Sequence, residues 1–229
     1  PRSTRRSVWK VPTAAEDGQP AAAEHGTTIA YANMDWKRGR HTGRHATKQF
    51  ETWQSTTEEI IREFDPAIIC FCEVGEVSIP LEAEHFTKLQ ALTREAWTSC
   101  GVAAEQVEFL QTVGLPYLTA YRKDRVTCSG YRILSDLYAA RGPARTAQHF
   151  LATRADTGAE ESINVINVHA PSGTWKLTDA QRKELLTNLL QSTSLNDATK
   201  SVGHDRSILA GDFNTGELML AQIMRAMVQ

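Results

Sequence analysis

The spacing of apolar residues changes along the chain between a helical period and a strand period. Apolar side chains recur at helical spacing between Phe50 and Phe64, which predicts an amphipathic helix over about Thr47–Phe64. Asp65 and Pro66 follow and end it, because proline cannot continue a helix. Helices with the same kind of pattern are predicted over about 82–97, 177–190 and 219–227.

Runs of β-branched, aromatic and other apolar residues predict strands between these helices. Ala67–Val74 is a nearly unbroken apolar run, as expected for a strand that is covered on both faces. The other predicted strands cover 28–32, 107–113, 117–121, 126–134, 146–153, 162–169 and 207–213. Strand runs separated by helices favour a two-layer β core flanked by helices, an α/β sandwich.

Length and composition fit one globular domain over residues 27–229, because the chain has 229 residues, of which 41% are hydrophobic and 23% charged. Residues 1–26 are rich in Arg, Ala, Glu, Gly and Pro without apolar periodicity, which predicts a disordered leader. The Pro1 start favours an excised or processed segment. No apolar stretch reaches the roughly 18 residues of a membrane helix. A soluble protein is expected, with the cytoplasm or nucleus favoured.

The net charge excludes a strongly basic protein, and the number and spacing of the cysteines exclude a disulfide-rich fold. The net charge of -2 gives no global basic field, so any contact with a polyanion must be local. The cysteines are too few and scattered for a disulfide framework, and we expect buried, reduced thiols: Cys70, Cys72, Cys100 and Cys128. The first two would share one face of a strand, but no Cys or His pair nearby completes a zinc site.

Polar residues stand where predicted strands end. Asn33, Glu73 and His169 follow apolar runs in this way, and Asp212 and Asn214 lie in and after the last strand. Taken singly, such residues are more often capping or solvated groups. Taken together, the carboxylate and amide oxygens are hard ligands of the kind that hold Mg²⁺ or Mn²⁺ and leave the ion open to a phosphate.

Five segments in order resemble the endonuclease/exonuclease/phosphatase superfamily, the deoxyribonuclease I-like proteins. They are IAYANMDW, PAIICFCEVGE, LTAYRKDRV, NVINVHAPSG and LAGDFNTG, and they extend over about Thr27–Gly216. The chain departs from the family pattern at Cys72, where a glutamine is usual before the metal-binding glutamate. The ligand itself is retained.

The resemblance implies a four-layer α/β sandwich, with two packed mixed β-sheets flanked by helices, and Mg²⁺- or Mn²⁺-dependent hydrolysis of a phosphoester. It implies that Glu73 binds the metal, with Asn33 in its inner or outer shell. It also implies that Asp212 orients or deprotonates the attacking water and that Asn214 donates to the phosphoryl oxygens. His169 would contact the scissile phosphate or donate a proton. The reaction would be direct in-line attack by a metal-assisted water.

Two further residues match phosphate-binding positions of the family. They are Arg145, which could equally be a surface arginine, and Tyr121, which could equally be a core aromatic. Family members end in another strand and an Asp-His pair, whereas Thr215–Gln229 contains neither Asp nor His. We therefore expect a fragment that lacks its last strands rather than a degenerate relative, and the activity of the chain alone stays open.

A nuclease is the first functional hypothesis. The basic stretch that begins at Lys37 and ends at Lys48 could follow a nucleic-acid backbone, although a solvated loop explains it equally well. A phosphatase or phosphodiesterase for a phosphoinositide, a lipid or a small phosphoester is the enzymatic alternative, because the same scaffold supports both. A non-catalytic interaction domain of the same fold is the third hypothesis. The sequence leaves the oligomeric state open.

Overall fold

The computed structural model describes residues 6–11, 27–34, 43–74, 83–112, 115–134, 146–155, 162–169, 178–191, 195, 197–198 and 207–212. The chain divides into two compact units, residues 1–127 with 153–161, and residues 128–152 with 162–229. The prediction of one domain over residues 27–229 stays a prediction. None of the helices in the described part is long and apolar enough to span a membrane.

The first unit contains a mixed five-stranded sheet with the order β1-β2-β3-β5-β4. Strands β2 and β3 run parallel, and the other neighbours run antiparallel. The strands are β1 Arg6–Val11, β2 Thr27–Asn33, β3 Ile68–Cys72, β4 Val107–Gln111 and β5 Tyr117–Arg122, and the helices are α1 Gly43–Phe64, α2 Ala83–Ser99 and a 3₁₀ turn at Ala104–Gln106. The predicted helices and strands of this unit are confirmed, apart from shifts of a few residues at their ends.

Both helices contribute to the apolar core that covers one face of this sheet. Trp53 of α1 stacks on Phe71 of β3 with ring centroids 4.4 Å apart, and its indole N–H donates to Thr93 of α2 over 3.0 Å. Burying each such aromatic side chain stabilises the fold by about 1.5–3 kcal/mol. Every residue of β3 is buried, so the unbroken apolar run correctly predicted a strand covered on both faces. The last turn of α1 closes at Asp65, whose backbone N–H donates to Ile61.

The prediction of a disordered leader is wrong for Arg6–Val11. These six residues form β1, which pairs antiparallel with β2 from Arg6 opposite Ala32 to Val11 opposite Thr27. The prediction rested on the composition of residues 1–26 as a whole and overlooked the strand-favouring Val8, Trp9 and Val11, which lie on the segment that pairs with the edge of β2. Residues 1–5, residues 12–26 and the helix predicted over 219–227 lie outside the described residues.

The four-stranded sheet belongs mainly to the second unit and has the order β6-β7-β8-β9. Its strands are β6 Val126–Leu134, β7 Ala147–Arg154, β8 Ser162–His169 and β9 Ser207–Asp212. Helix α3, Asp179–Leu190, lies between β8 and β9 in the sequence. Strands β8 and β9 run parallel, with Asn164 opposite Ser207 and His169 opposite Asp212. The predicted strands and the third helix are confirmed within a few residues.

The cysteines match their prediction in part. All four are free thiols, and Cys70 and Cys72 are buried on one face of β3. Burial raises the pKa of the Cys70 thiol to about 12, so this group stays protonated. Cys100 and Cys128 are only half-buried, so the prediction that all four are buried is wrong for these two.

A chain of hydrogen bonds, buried at its centre, crosses the second sheet through His149 of β7. The Arg132 side chain donates to Nδ1 of His149 over 3.0 Å, and Nε2 lies 3.0 Å from the Asn164 side-chain oxygen. Because a guanidinium can only donate, Nδ1 must accept, and the proton of the neutral ring lies on Nε2. The Asn164 amide then donates to the Ala198 carbonyl over 2.8 Å and to the Ser207 hydroxyl over 3.2 Å.

We expect the protein to become less stable as the pH falls below about 6.5, the ordinary pKa of histidine. Burial lowers the pKa of His149, the Asn164 hydrogen bond raises it and the nearby Arg132 lowers it, with a net decrease. The unfolded chain therefore binds more protons between the two pKa values, and stability is present above the unfolded pKa and lost below it. Urea unfolding between pH 7.5 and 5 measures this dependence, and His149→Gln should flatten it. If the stability of His149→Gln depends on pH as steeply as that of the unsubstituted protein, His149 is not the cause of the dependence.

Candidate functional site

Asn33 and Glu73 lie at the same edge of the first sheet. Asn33 ends β2 opposite Cys72, the last residue of the parallel strand β3, and Glu73 follows directly. The backbone N–H of Met34 donates to the Cys72 carbonyl over 3.1 Å, so the pairing continues past the end of β2. Because parallel strands present their carboxyl ends at one edge, this part of the predicted metal site is brought together. Asn33 is buried and Glu73 is half-buried.

The backbone of Glu73 is strained. Its φ of 53° lies in the left-handed region, which is uncommon for a residue with a side chain. The next residue, Val74, donates its backbone N–H to the Pro116 carbonyl over 3.1 Å, which holds the turn in place. Such strain is found at binding and catalytic sites, where the surrounding structure compensates for it. Here the turn fixes the direction in which a carboxylate leaves the end of β3.

Glu73→Gly is expected to leave the protein about 1 kcal/mol more stable than Glu73→Gln, because glycine adopts the left-handed conformation without the clash of a Cβ. Both variants remove the carboxylate, so both should lose affinity for a divalent cation to the same extent. Urea unfolding compares the stabilities, and titration calorimetry with Mn²⁺ compares the affinities. Equal stability of the two variants would show that the side chain at this position costs nothing.

His169 and Asp212 form the last pair of the parallel strands β8 and β9. The side-chain ligand atoms of the two residues lie within 4.8 Å of each other. His169 is 7% exposed and Asp212 is 6% exposed. An imidazole and a carboxylate held this close can share a proton or ligate one cation, and burial strengthens either interaction because the local dielectric is low.

Gly211 allows the close approach of β9 to β8 beside this pair. A Cβ at Gly211 would overlap the backbone carbonyl of Val168, its register partner, and would lie 2.7 Å from the Val168 side chain. Only glycine therefore fits immediately before Asp212 with this backbone geometry. This contact explains why glycine is the first residue of the GDF sequence, which is part of the last segment that resembles the family.

The structure places Tyr121 away from Glu73. Tyr121 pairs with Ile68, the first residue of β3, whereas Tyr117 pairs with Cys72, the last. At about 3.3 Å per residue, the two tyrosines are separated by roughly 13 Å along β5. The predicted phosphate-binding role of Tyr121 therefore draws no support from its position. Arg145 and Asn214 lie outside the described residues.

Sequence reasoning missed two buried polar features near the strand ends. Tyr117 is 1% exposed and lies beside the end of β3. In YLTAY, alternation places Tyr117 and Tyr121 on one face, so the sequence could not tell which lies near Glu73. In the second unit, the fully buried Asn167 donates to Gln148 over 3.2 Å, on the same face of β8 as His169. The sequence could have indicated the pair of Asn167 and Gln148, because an amide side chain within an apolar strand must find a hydrogen-bond partner.

Several solved structures resemble this chain. An endonuclease/exonuclease/phosphatase family protein from Bacteroides thetaiotaomicron is 12% identical over 97% of this chain and 70% of its own, with a TM-score of 0.57. The mannosyl-6-phosphatase Bt3783 from B. thetaiotaomicron VPI-5482 is 12% identical over 84% and 67%, with a TM-score of 0.54. D. rerio TDP2 complexed with single strand DNA product is 16% identical over 76% and 58%, with a TM-score of 0.50.

These similarities show the fold. The chain has the endonuclease/exonuclease/phosphatase fold, and the predicted four-layer α/β sandwich is confirmed. The chain spans 58% to 70% of the length of these structures. No protein-family model matches the sequence, and no curated protein matches it either.

Proposed function

We propose that the chain carries the metal-binding part of a divalent-metal-dependent phosphoester hydrolase. The buried pair of His169 and Asp212, with ligand atoms within 4.8 Å, is the observation that carries the proposal. Under this proposal, Glu73 binds the ion, as the resemblance implies, while His169 and Asp212 act on the phosphate and the attacking water. Asn33 would add an amide oxygen from the neighbouring end of β2.

The chemistry of these side chains fits Mg²⁺ or Mn²⁺. Carboxylate and amide side chains offer hard oxygen donors, which these ions prefer. When bound, the ion would polarise a phosphoryl oxygen and lower the pKa of a coordinated water.

The side chains of this site have separate tasks in the proposed reaction. The Asp212 carboxylate would accept a hydrogen bond from the attacking water and orient it toward phosphorus. The neighbouring His169 imidazole would donate a hydrogen bond to the phosphoryl group, where negative charge increases in the transition state. Both groups are buried, so bulk water competes little for these hydrogen bonds. Arg145 and Asn214 remain predicted contacts of the phosphoryl oxygens.

A nucleic acid is the proposed substrate. Its support is the similarity to D. rerio TDP2, which has been solved complexed with single strand DNA product. The basic stretch that begins at Lys37 would contact the backbone phosphates. Such contacts must be local, because a net charge of -2 gives no basic field over the whole protein. A phosphatase for a small phosphoester is the second candidate, supported by the similarity to the mannosyl-6-phosphatase.

The test is turnover of single- and double-stranded oligonucleotides and of bis-p-nitrophenyl phosphate, with and without Mg²⁺. Asp212→Ala should abolish metal-dependent turnover, whereas Asp197→Ala, an exposed aspartate of the same unit, should leave it unchanged. Cleavage of oligonucleotides with affinity that falls steeply with salt concentration would support the nuclease. Turnover of the small ester alone would favour the phosphatase. Absence of turnover with every substrate would overturn the proposal in favour of a non-catalytic domain.

A further inference from the structure

The hydrogen bonds of Asn164 connect the start of β8 to the start of β9. Asn164 is fully buried and lies opposite Ser207, five residues before His169 on its strand, while Ser207 lies five residues before Asp212. Its amide group donates to the Ser207 hydroxyl, and its oxygen lies 3.0 Å from Nε2 of His149. Asn164 and His169 are on opposite faces of β8, so these bonds act at a distance from the site.

We propose that Asn164 and Ser207 form a register lock, a pair of positioning residues that fixes β9 against β8 and thereby keeps Asp212 opposite His169. The proposal rests on the function proposed above. His149 is part of the device, because it fixes the orientation of the Asn164 amide: the ring N–H occupies the amide oxygen, and the NH₂ group is left to face Ser207 and the Ala198 carbonyl.

The apolar pattern of β9 specifies its register only weakly. Between Ser207 and Asp212 the strand reads Ile, Leu, Ala, Gly, with one large and one small residue on each face. Burial of these side chains therefore distinguishes the two faces poorly. A shift of β9 by one residue would turn Asp212 to the opposite face, and a shift by two would move it about 6.6 Å along the strand. Either shift separates the carboxylate from the imidazole of His169.

The polar pair supplies what the apolar pattern lacks. A shift of β9 that brings Ile208 or Leu209 opposite Asn164 would deprive the buried amide of its hydroxyl partner. Gly211 also favours this register, because any other residue opposite Val168 would bring a Cβ against the Val168 carbonyl. Two independent contacts, one favourable and one steric, thus select the register in which His169 faces Asp212.

Ser207→Thr and Ser207→Val test the register lock as a matched pair. The two side chains have nearly the same shape and strand preference, but only threonine keeps the hydroxyl that accepts from Asn164. We expect kcat within about twofold of the unsubstituted protein for Ser207→Thr. For Ser207→Val we expect kcat to fall at least tenfold, since a reacting group misplaced by about 1 Å can cost about 10²-fold. KM should stay within about twofold, at a temperature where circular dichroism shows both variants fully folded.

A second measurement does not depend on catalysis. Amide hydrogen exchange of residues 208–212 should be faster in Ser207→Val than in Ser207→Thr, while exchange in β3 stays equal. If the unsubstituted chain shows no metal-dependent turnover, the proposed function fails, and hydrogen exchange still decides on the lock. Equal exchange in the two variants, or equal kcat in an active protein, would overturn the register lock.

Discussion

Replacing His169 by alanine is expected to lower metal-dependent phosphoester turnover by a factor of about 10²–10⁴, the range typical of losing a group that transfers or donates a proton in the transition state. The imidazole is buried beside Asp212, with the two sets of ligand atoms within 4.8 Å. The measurement is kcat and kcat/KM against pH with Mg²⁺ at saturation.

The pattern of losses distinguishes the roles of this histidine. If His169 contacts the phosphoryl group as a donor, His169→Gln should recover part of kcat, because an amide N–H also donates. If His169 transfers a proton, His169→Gln should be as inactive as His169→Ala, and the pH profile should lose one limb. A kcat that is unchanged in both variants would remove His169 from the proposed site.

Gly211→Ala is expected to lower turnover by about 10²-fold and stability by about 1–3 kcal/mol. The added methyl group would overlap the Val168 carbonyl, and a backbone atom cannot move aside as a flexible side chain can. Strand β9 must therefore shift away from β8, and Asp212, the next residue, shifts with it. Enzyme kinetics and urea unfolding of the same preparation measure the two effects.

Gly101→Ala serves as the control for stability alone. Gly101 has a φ of 88° and no atom within 4 Å of an added Cβ, so alanine there is strained but meets no neighbour. It lies just after α2, in the first unit. We expect lower stability and unchanged turnover for this variant. Equal turnover in Gly211→Ala and Gly101→Ala would show that the position of Asp212 tolerates the displacement of β9.

The sequence predicted the strand ends of the site well because backbone periodicity determines them. AIICFC followed by Glu73 has the length and composition expected of a short buried strand with a carboxylate at its end, and the structure has this arrangement. INVINV is a second such run, and His169 follows it as the last residue of β8. In both cases the signal lies within ten residues, so no knowledge of distant partners was needed.

Other parts depended on contacts that no local pattern contains. Residues Arg6–Val11 include three strand-favouring side chains, but a segment this short forms a strand only because the edge of β2 pairs with it. Tyr121 and Tyr117 share a face, so only the register of β5 against β3 separates them. The buried partners of Asn164 come from positions 149, 198 and 207, and their association is set by the tertiary fold.

The pairing of β1 with β2 bears on how the protein can be handled in the laboratory. Strand β2 runs between β1 and β3, and its inner neighbour β3 covers only one of its two rows of backbone groups. A protein produced from Thr27 onward would keep every residue of the candidate site but would leave the outer row of β2 bare. Such an edge is a template for pairing between molecules. With residues 6–11 present, this row of β2 is paired within the chain, and the strand that ends in Asn33 is not an edge.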